Sequence, residues 1–283
     1  MTEAAAKHMS PFAQDTKMAQ NGLFPVSLSR HGSRFWRRFP SYGFAGNLQS
    51  YPITIAEVLQ AAASFPVVFK QTGQQIEPCV LLSLNNKTKT PFVSEDGRWL
   101  GIHIPTGLRC YPFQAVACQG SSETALLMID ESSGLVTRDP GDEAFFKNGD
   151  QMTQELCAVR AFLQERLLAV KETQKLCHKI AGQGLFSPID HHDEVPIPEG
   201  FLEIKPVGLR RLTQNQISTL MNSGALRLIH AHHVSLSHCR WLFSAQQARK
   251  TQIQVSENVR DFLGAMGKET GFETTPEARH AAG

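Results

Sequence analysis

The chain has 283 residues, of which 41% are hydrophobic, enough to bury the core of one large domain or two modest ones. Its 28 basic and 26 acidic residues give a formal net charge of +2, too little to attract nucleic acid or an anionic membrane. No run of about 18 apolar residues could span a bilayer, and the N-terminus lacks the apolar segment of a secretory signal. We therefore expect a soluble, cytoplasmic protein without a nucleic-acid partner, with peripheral envelope association as a further possibility.

The first part of the chain, from about 21 to 140, has the pattern of a sheet. Short apolar runs alternate with Gly, Pro, Asn and Asp: FPVSL, FPVVF, CVLLSL, TPFVS, WLGIHIP and TALLMID. Runs of this length that are rich in Val, Ile and Phe are typical of strands. One helix interrupts them, because Thr54 and Glu57 have the spacing of a capping box. Asp96-Gly97 predicts a tight hairpin turn between TPFVS and WLGIHIP.

The second part of the chain is helical in its pattern. Apolar residues recur every three or four positions from 151 to 181, which predicts one long amphipathic helix. After the loop SPIDHHDEVPIPEG we expect the strand FLEI, a helix from Thr213 to about Gly224, the strand LRLIHAHHV and a helix from about Ser237. The fold class is therefore α+β, with a sheet-rich half followed by a helical half.

Both ends of the chain lack this patterning. Residues 1–20 are small and polar, and residues 251–283 lose sustained apolar periodicity, so both are predicted to be flexible. The sequence thus predicts a leader at 1–20, a single domain at 21–250 (sheet-rich over 21–140, helical over 150–250) and a tail at 251–283.

Four histidines lie close together in RLIHAHHVSLSHCRWL, and two of them have the spacing of a metal-binding pair. If LRLIHAHHV is a strand, His230 and His232 share one face, because side chains alternate along a strand. Asp190 or Asp193, in the preceding loop, could then complete the two-histidine, one-carboxylate set of non-haem iron sites. A buried histidine bonded to a backbone carbonyl explains the same residues without a metal. Two interpretations stay open: no cofactor, or Fe or Zn in an oxygenase-like enzyme.

The six cysteines favour reduced thiols, since no Cys-x-x-Cys pair or zinc-type spacing occurs. The signatures of common enzyme classes are also missing, including the G-x-S-x-G elbow, the P-loop, G-x-G-x-x-G and H-E-x-x-H. No catalytic residue is predicted from motifs.

Arginines and aromatic residues are interleaved in the stretch SRHGSRFWRRFP. Such side chains stack on rings and hold phosphates or carboxylates. No second basic patch of comparable density occurs, so we expect a local contact with an anion or a partner protein. The residues concerned are Arg30, Arg34, Arg37, Arg38, Phe35, Trp36 and Phe39.

The order of these landmarks resembles the SapC family of bacterial proteins over about residues 22–243. The matching segments are Arg30-His31, Tyr51-Pro52-Ile53, Phe65 to Phe69, Leu81 to Leu84, Asp96 to Trp99, Ile104-Pro105, Tyr111 to Phe113, Ile129 to Ser132, the long helix, Gly200-Phe201, Gly224 to Leu226, Leu228-Ile229, Ala231-His232 and Ser235-Leu236.

The resemblance implies a role in the bacterial surface array (S-layer), or an accessory role beside oxygenase- and halogenase-like enzymes and outer-membrane receptors. The family pattern matches His232, whereas position 230 resembles a tyrosine site, so a metal site on both histidines would be peculiar to this chain. The segments Thr90 to Phe92 and Asp142 to Asp150 also depart from the family pattern.

We therefore expect a non-catalytic binding or accessory protein that acts through a protein partner, with a metal-dependent enzyme as the alternative. Arginines suit anion pairing, aromatic rings suit stacking, and histidine is a titratable hydrogen-bonding group. Trp99 and Tyr111 could equally anchor the core. The residues expected in a binding site are Arg30, His31, Arg98, Trp99, Arg109, Tyr111 and His232.

Overall fold

The computed structural model describes residues 22–85, 88–117 and 125–269, and it has the expected α+β fold. The strands within these ranges are β1 Leu23–Pro25, β2 Phe35–Trp36, β3 Ser50–Pro52, β4 Val67–Thr72, β5 Gln75–Leu81, β6 Phe113–Ala117, β7 Ala125–Asp130, β8 Val136–Thr137, β9 Glu143–Ala144, β10 Phe146–Lys147, β11 Gln151–Met152, β12 Phe186–Pro188, β13 His191–His192, β14 Val195–Pro196 and β15 Phe201–Ile204. The helices are α1 Leu28–His31, α2 Val58–Ala62, α3 Gln154–Ala181, α4 Pro206–Leu209, α5 Gln214–Ser223, α6 Ala225–Ser235 and α7 His238–Glu269.

The larger sheet is antiparallel and has the strand order β12-β15-β4-β5-β3. The runs FPVVF and CVLL supply its centre, where Phe69 and Leu81 are fully buried. A tight turn at Gly73, whose φ of +61° glycine adopts without strain, joins β4 to β5. Helices α2 and α6 and the C-terminal part of α3 complete the core on this sheet.

A second core forms around the three-stranded sheet β1-β7-β6 and the small sheet β8-β2-β9. Trp36, Phe113 and Phe145 fill it, together with Leu156 and Leu163 from the first half of α3. The second half of α3 packs instead on the larger sheet through Cys177 and Ile180. The long helix therefore joins the two cores, and its early turns face the smaller sheets.

Some predicted strands are shorter in the structure or missing from it. TPFVS and WLGIHIP meet only in a single bridge between Val93 and Trp99, across a turn with Gly97 at φ +82°. The chain after Trp99 forms a loop, although the apolar run WLGIHIP predicted a strand. The predicted capping box also forms only in part, since Glu57 accepts the Thr54 N–H at 3.4 Å but the helix begins at Val58.

The predicted strand LRLIHAHHV is wrong, because these residues belong to helix α6. Gly224, at φ +81°, ends α5, and α6 begins at the next residue. The buried side chains of α6 include Ala225, Leu228, Ile229 and His232, which recur at helical spacing. The continuous run of apolar residues and histidines fits a strand or a buried helix equally well, so the spacing of the apolar residues does not distinguish the two structures.

Two more segments differ from their predicted structure. The loop after α3 contains β12 and a small hairpin, β13-β14, whose turn residues Asp193 and Glu194 both have positive φ. Helix α7 continues to Glu269, well beyond residue 250, where apolar periodicity ends. The predicted leader and residues 270–283 lie outside the described residues. In the described part of the chain, no helix has the length and apolar character needed to cross a membrane.

Side chains of α6 complete the hydrogen bonding of the larger sheet where two of its strands separate. The β15–β4 pairing runs through Phe201↔Lys70 and Leu202↔Phe69, and the same register would place Ile204 opposite Val67. The His232 ring lies between them instead. Its Nε2 accepts the Ile204 N–H at 3.1 Å, and its Nδ1 donates to the Val67 carbonyl at 2.7 Å.

Two neighbouring side chains satisfy the remaining polar groups at this position. The Ser235 hydroxyl accepts the Val67 N–H at 2.9 Å, and His233 Nε2 donates to the Ile204 carbonyl at 2.5 Å. All four backbone groups of Val67 and Ile204 thus have partners on one helix. We call this contact of His232, His233 and Ser235 with Val67 and Ile204 the helix–sheet seam.

Replacing His232 by Phe should destabilise the protein by about 3 kcal/mol, because the ring volume is kept while two buried backbone groups lose their partners. Urea unfolding at neutral pH measures this. The exposed His230 on the same helix is the matched control, and His230→Phe should change the free energy of unfolding by less than about 0.5 kcal/mol. Equal effects of the two substitutions would contradict the role of the seam.

Candidate functional site

An open cavity of about 600 Å³ lies between the first half of α3 and the segments that follow β2 and precede β6. A volume of this size suits a small organic ligand, since such pockets measure roughly 300–1,000 Å³. Its lining combines aromatic rings with three charged side chains. We call it the aromatic–arginine cavity, and its charged and aromatic residues are Arg38, Arg109, Glu155, Trp36, Phe39, Tyr42, Tyr111, Phe113 and Phe162.

One face of α3 forms one wall of the cavity. Glu155, Ala158, Val159 and Phe162 line it, and their spacing of three or four residues places them on the same side of a helix. Thr153 fixes the start of this helix, because its hydroxyl accepts the Leu156 N–H and donates to the Ala144 carbonyl. The cap therefore attaches the cavity wall to strand β9.

Strand β2 and the residues after it form the opposite wall of the cavity. Trp36 is 3% exposed and packs edge-on against Phe113, with ring centroids 4.9 Å apart. Phe39 and Tyr42 come next along the chain, and their rings also meet edge-on at 5.0 Å. Tyr111 closes this side, with its ring 6.2 Å from that of Phe39. The interleaved sequence SRHGSRFWRRFP thus places its second half at the cavity.

The charged groups of the cavity are available to a ligand. Among the described residues, neither Arg38 nor Arg109 has an ion pair or a side-chain hydrogen bond, and the Arg109 guanidinium lies 5.5 Å from the centroid of Phe162. Burial raises the pKa of Cys110 to about 11 and raises the pKa of Tyr42 and of Tyr111. The thiol and both phenols are therefore neutral at pH 7, and none is an activated nucleophile.

The first half of the same sequence stretch has a different partner. Arg30 binds Glu131 through two nitrogens, at 2.5 and 3.1 Å, and Arg34 binds the same carboxylate at 3.1 Å. Hydrogen bonds from Arg30, joined by those from Arg34, lower the pKa of Glu131. The fully buried His31 places Nε2 3.2 Å from Glu131 without hydrogen-bond geometry. Arg30 and Arg34 thus pair with a carboxylate of the protein itself, next to His31.

Arg98 and Trp99 do not line the cavity, although the Trp99 ring lies 5.6 Å from that of the cavity residue Tyr42. Arg98 is exposed in the hairpin turn, where it pairs with Asp96 at 2.7 Å. Trp99 packs among core rings and donates from its indole nitrogen to the His103 carbonyl at 2.8 Å. Both residues therefore have structural roles in the loop that they begin.

The loop after Trp99 is held in place by a buried carboxylate that sequence reasoning had treated only as a helix cap. Glu57 accepts hydrogen bonds from the backbone and hydroxyl of Thr106 and pairs with His103 at 3.0 Å. Burial alone would raise the pKa of Glu57, but the hydrogen bonds from His103 and Thr106 outweigh it, so the pKa is lowered.

The residues of the metal hypothesis do not form a shared site. His230 is exposed and His232 is fully buried, since residues two apart on a helix face different ways. Both ring nitrogens of His232 already bind backbone groups. Asp190 pairs with the neighbouring His191, and Asp193 lies in the exposed hairpin turn. Within the described ranges, no group of three His, Cys, Asp or Glu residues has metal-binding geometry.

Of the seven residues expected in a site, the structure brings only Arg109 and Tyr111 to the cavity. Their partners Arg38, Trp36 and Phe39 belong to the stretch that the sequence identified as an anion or protein contact. Sequence reasoning did not identify the α3 residues that line the cavity. In the sequence, only their spacing on one face of the predicted helix indicated them, and residues that pack into a protein core have the same spacing.

Comparison with known proteins identifies one family. A family model described as SapC matches residues 26–242, which is most of the chain and includes every residue that lines the aromatic–arginine cavity. Searches of curated proteins and of solved structures give no significant match.

The titration of His232 should make stability depend on pH. Burial lowers its pKa from 6.5 to about 4 in the folded protein, so the unfolded chain binds the proton more tightly. The stabilisation is fully present above about pH 6.5 and is lost as pH falls toward about 4. We expect this residue to contribute a loss of about 2 kcal/mol between about pH 7.5 and about pH 5, measured by urea unfolding.

The control for this measurement is His232→Gln, which keeps a donor and an acceptor but cannot titrate. Its free energy of unfolding should fall less over the same pH range. An unchanged pH dependence would show that the titration of His232 contributes nothing.

Proposed function

The chain belongs to the SapC family, and from that premise we propose that it is a non-catalytic binding protein that serves other proteins as an accessory. The aromatic–arginine cavity is its ligand site. The observation that carries the proposal is a cavity of ligand size that is lined by aromatic rings and by two arginines without an ion pair among the described residues, while the thiol and the phenols stay protonated. Such a lining can bind and orient a molecule, but it offers no activated nucleophile to transform one.

An accessory role also requires a surface for a partner, and the loop after Trp99 supports one. Ile102 is 98% exposed and Leu100 is 61% exposed, although both are large apolar side chains. The loop is anchored on both sides, by the Trp99 bond to the His103 carbonyl and by the bonds of His103 and Thr106 to Glu57. A rigid loop with an apolar tip presents a contact without a large loss of conformational entropy.

The setting of the proposed role follows from the family and from the cysteines. We place the protein in the cytoplasm or at the inner face of the envelope, in the surface-layer system or beside oxygenase- and halogenase-like enzymes. The associations of the family support these settings. Four described cysteines are free thiols, which is typical of a reducing compartment: Cys110, Cys157, Cys177 and Cys239.

Blocking the cavity should abolish ligand binding without unfolding the protein. Ala158 is exposed on α3 and lines the cavity, so Ala158→Phe fills part of it at little cost to the core. Ligand-detected NMR with a panel of neutral, anionic and cationic small molecules should show binding to the wild type and at least about tenfold weaker binding to the variant.

Ala161→Phe is the matched control, since Ala161 is exposed on the same helix and does not line the cavity. It should bind the panel as the wild type does. Binding that is insensitive to Ala158→Phe would rule out the cavity as the site. Conversion of a bound compound, detected by mass spectrometry after incubation, would contradict a non-catalytic role.

Replacing Ile102 by Ser should remove partner contacts while leaving the fold intact, because this side chain contributes almost no buried area. Cross-linking mass spectrometry of the full chain in its native cells should lose the cross-links to a specific partner near residues 99–106. Val234→Ser, at another exposed apolar residue, should keep them. A wild-type chain that gives no specific cross-link in this region would count against the accessory role.

A further inference from the structure

We propose that the aromatic–arginine cavity selects an aromatic monoanion, a carboxylate carried on a flat ring system. This inference rests on the proposed function and adds the chemical class of the ligand. It follows from three features of the lining: its net charge, the shape of its apolar surface, and a buried donor in its wall.

One negative charge on the ligand compensates the net charge of the lining. Arg38 and Arg109 contribute two positive charges and Glu155 contributes one negative charge, which leaves a net charge of +1. Tyr42, Tyr111 and Cys110 add no charge at neutral pH, because burial raises the pKa of each group. A monoanion therefore neutralises the site, whereas a dianion would leave an uncompensated charge beside Glu155.

The two arginines are free to pair with that anion. Arg30 and Arg34, in the same sequence stretch, are occupied by Glu131, and Arg98 by Asp96. Arg38 and Arg109 bind no carboxylate among the described residues. Arg109 lies beside the Phe162 ring, and guanidinium groups held against rings remain able to bind a carboxylate with two parallel hydrogen bonds.

The apolar lining favours a ring over an alkyl chain. The cavity-lining rings Trp36 and Phe113 meet edge-on, as do Phe39 and Tyr42. Flat faces and edges of this kind make offset-stacked and edge-to-face contacts with another ring, which add to the burial of apolar area. An aliphatic chain gains only the free energy of burying apolar area. A ligand with fused rings also fits a cavity of about 600 Å³ better than a single ring does.

The wall of the cavity also contains a buried donor without an acceptor. Trp36 is 3% exposed, and its indole nitrogen has no hydrogen-bond partner among the described residues. A buried N–H without a partner is unfavourable, so an acceptor that reaches it would recover free energy. A carboxylate oxygen or a polar substituent on the ring system supplies such an acceptor.

The test compares three probes by isothermal titration calorimetry on the full chain. Naphthalene carboxylate has the ring and the charge, naphthalene methanol has the ring alone, and decanoate has the charge alone. We expect naphthalene carboxylate to bind the wild type at least about tenfold more tightly than either of the other two. Quenching of tryptophan fluorescence, reduced in Trp36→Phe, should report its position in the cavity.

Arginine variants test the pairing. Arg109→Gln should weaken the binding of naphthalene carboxylate about tenfold and leave the binding of naphthalene methanol unchanged. Arg98→Gln is the matched control, since Arg98 is an exposed arginine outside the cavity, and it should change neither. Urea unfolding of both variants shows whether the fold is intact.

The remaining outcomes separate this inference from the proposed function. Naphthalene methanol binding as tightly as the carboxylate, with no effect of Arg109→Gln, overturns the anion requirement and leaves a ligand site in place. Decanoate binding most tightly overturns the aromatic requirement in the same way. If none of the three probes binds, the inference is wrong, and the panel on Ala158→Phe and Ala161→Phe then decides the proposed function.

Discussion

The larger sheet depends on hydrogen bonds that its own strands do not make. Between Val67 and Ile204, where β4 and β15 separate, an N–H and a C=O on each strand need partners in a buried environment. The helix–sheet seam supplies all four of them. Because buried backbone groups without partners each cost about 1–3 kcal/mol, α6 is held to the sheet by polar contacts as well as by apolar packing.

The long helix α3 connects the larger sheet to the candidate site. Its second half packs on the larger sheet, whereas its first half joins the second core and forms one wall of the aromatic–arginine cavity. The Thr153 cap fixes the start of the helix against β9. One wall of the cavity is therefore a regular helix with a fixed start, and side chains placed in advance in this way reduce the entropy that a protein loses on binding a ligand.

One short sequence stretch contributes both to internal ion pairs and to the lining of the cavity. Arg30 and Arg34 bind Glu131 and attach the N-terminal segment to the residue that follows β7, while Arg38, seven residues after the end of α1, lines the cavity. Glu131 occupies both Arg30 and Arg34, whereas no described carboxylate binds Arg38 or Arg109. A protein with a formal net charge of only +2 can thus have a local excess of positive charge at a cavity.

The sequence by itself determined the fold class, the family and the long helix, because α3 has a strong period and the family segments keep their order. It also indicated Arg109 and Tyr111 as candidates for a binding site, and the basic, aromatic stretch as a contact with an anion or a partner protein. Only the tertiary structure decided the rest. The run containing His230 and His232 fits a strand or a buried helix, and packing on Val67 and Ile204 selects the helix. Likewise, no local pattern separates Arg30, whose carboxylate partner lies 101 residues away, from Arg109, which has no such partner in the part of the chain that the structure describes. Charge pairing depends on distances between remote parts of the chain, and these exist only once it folds.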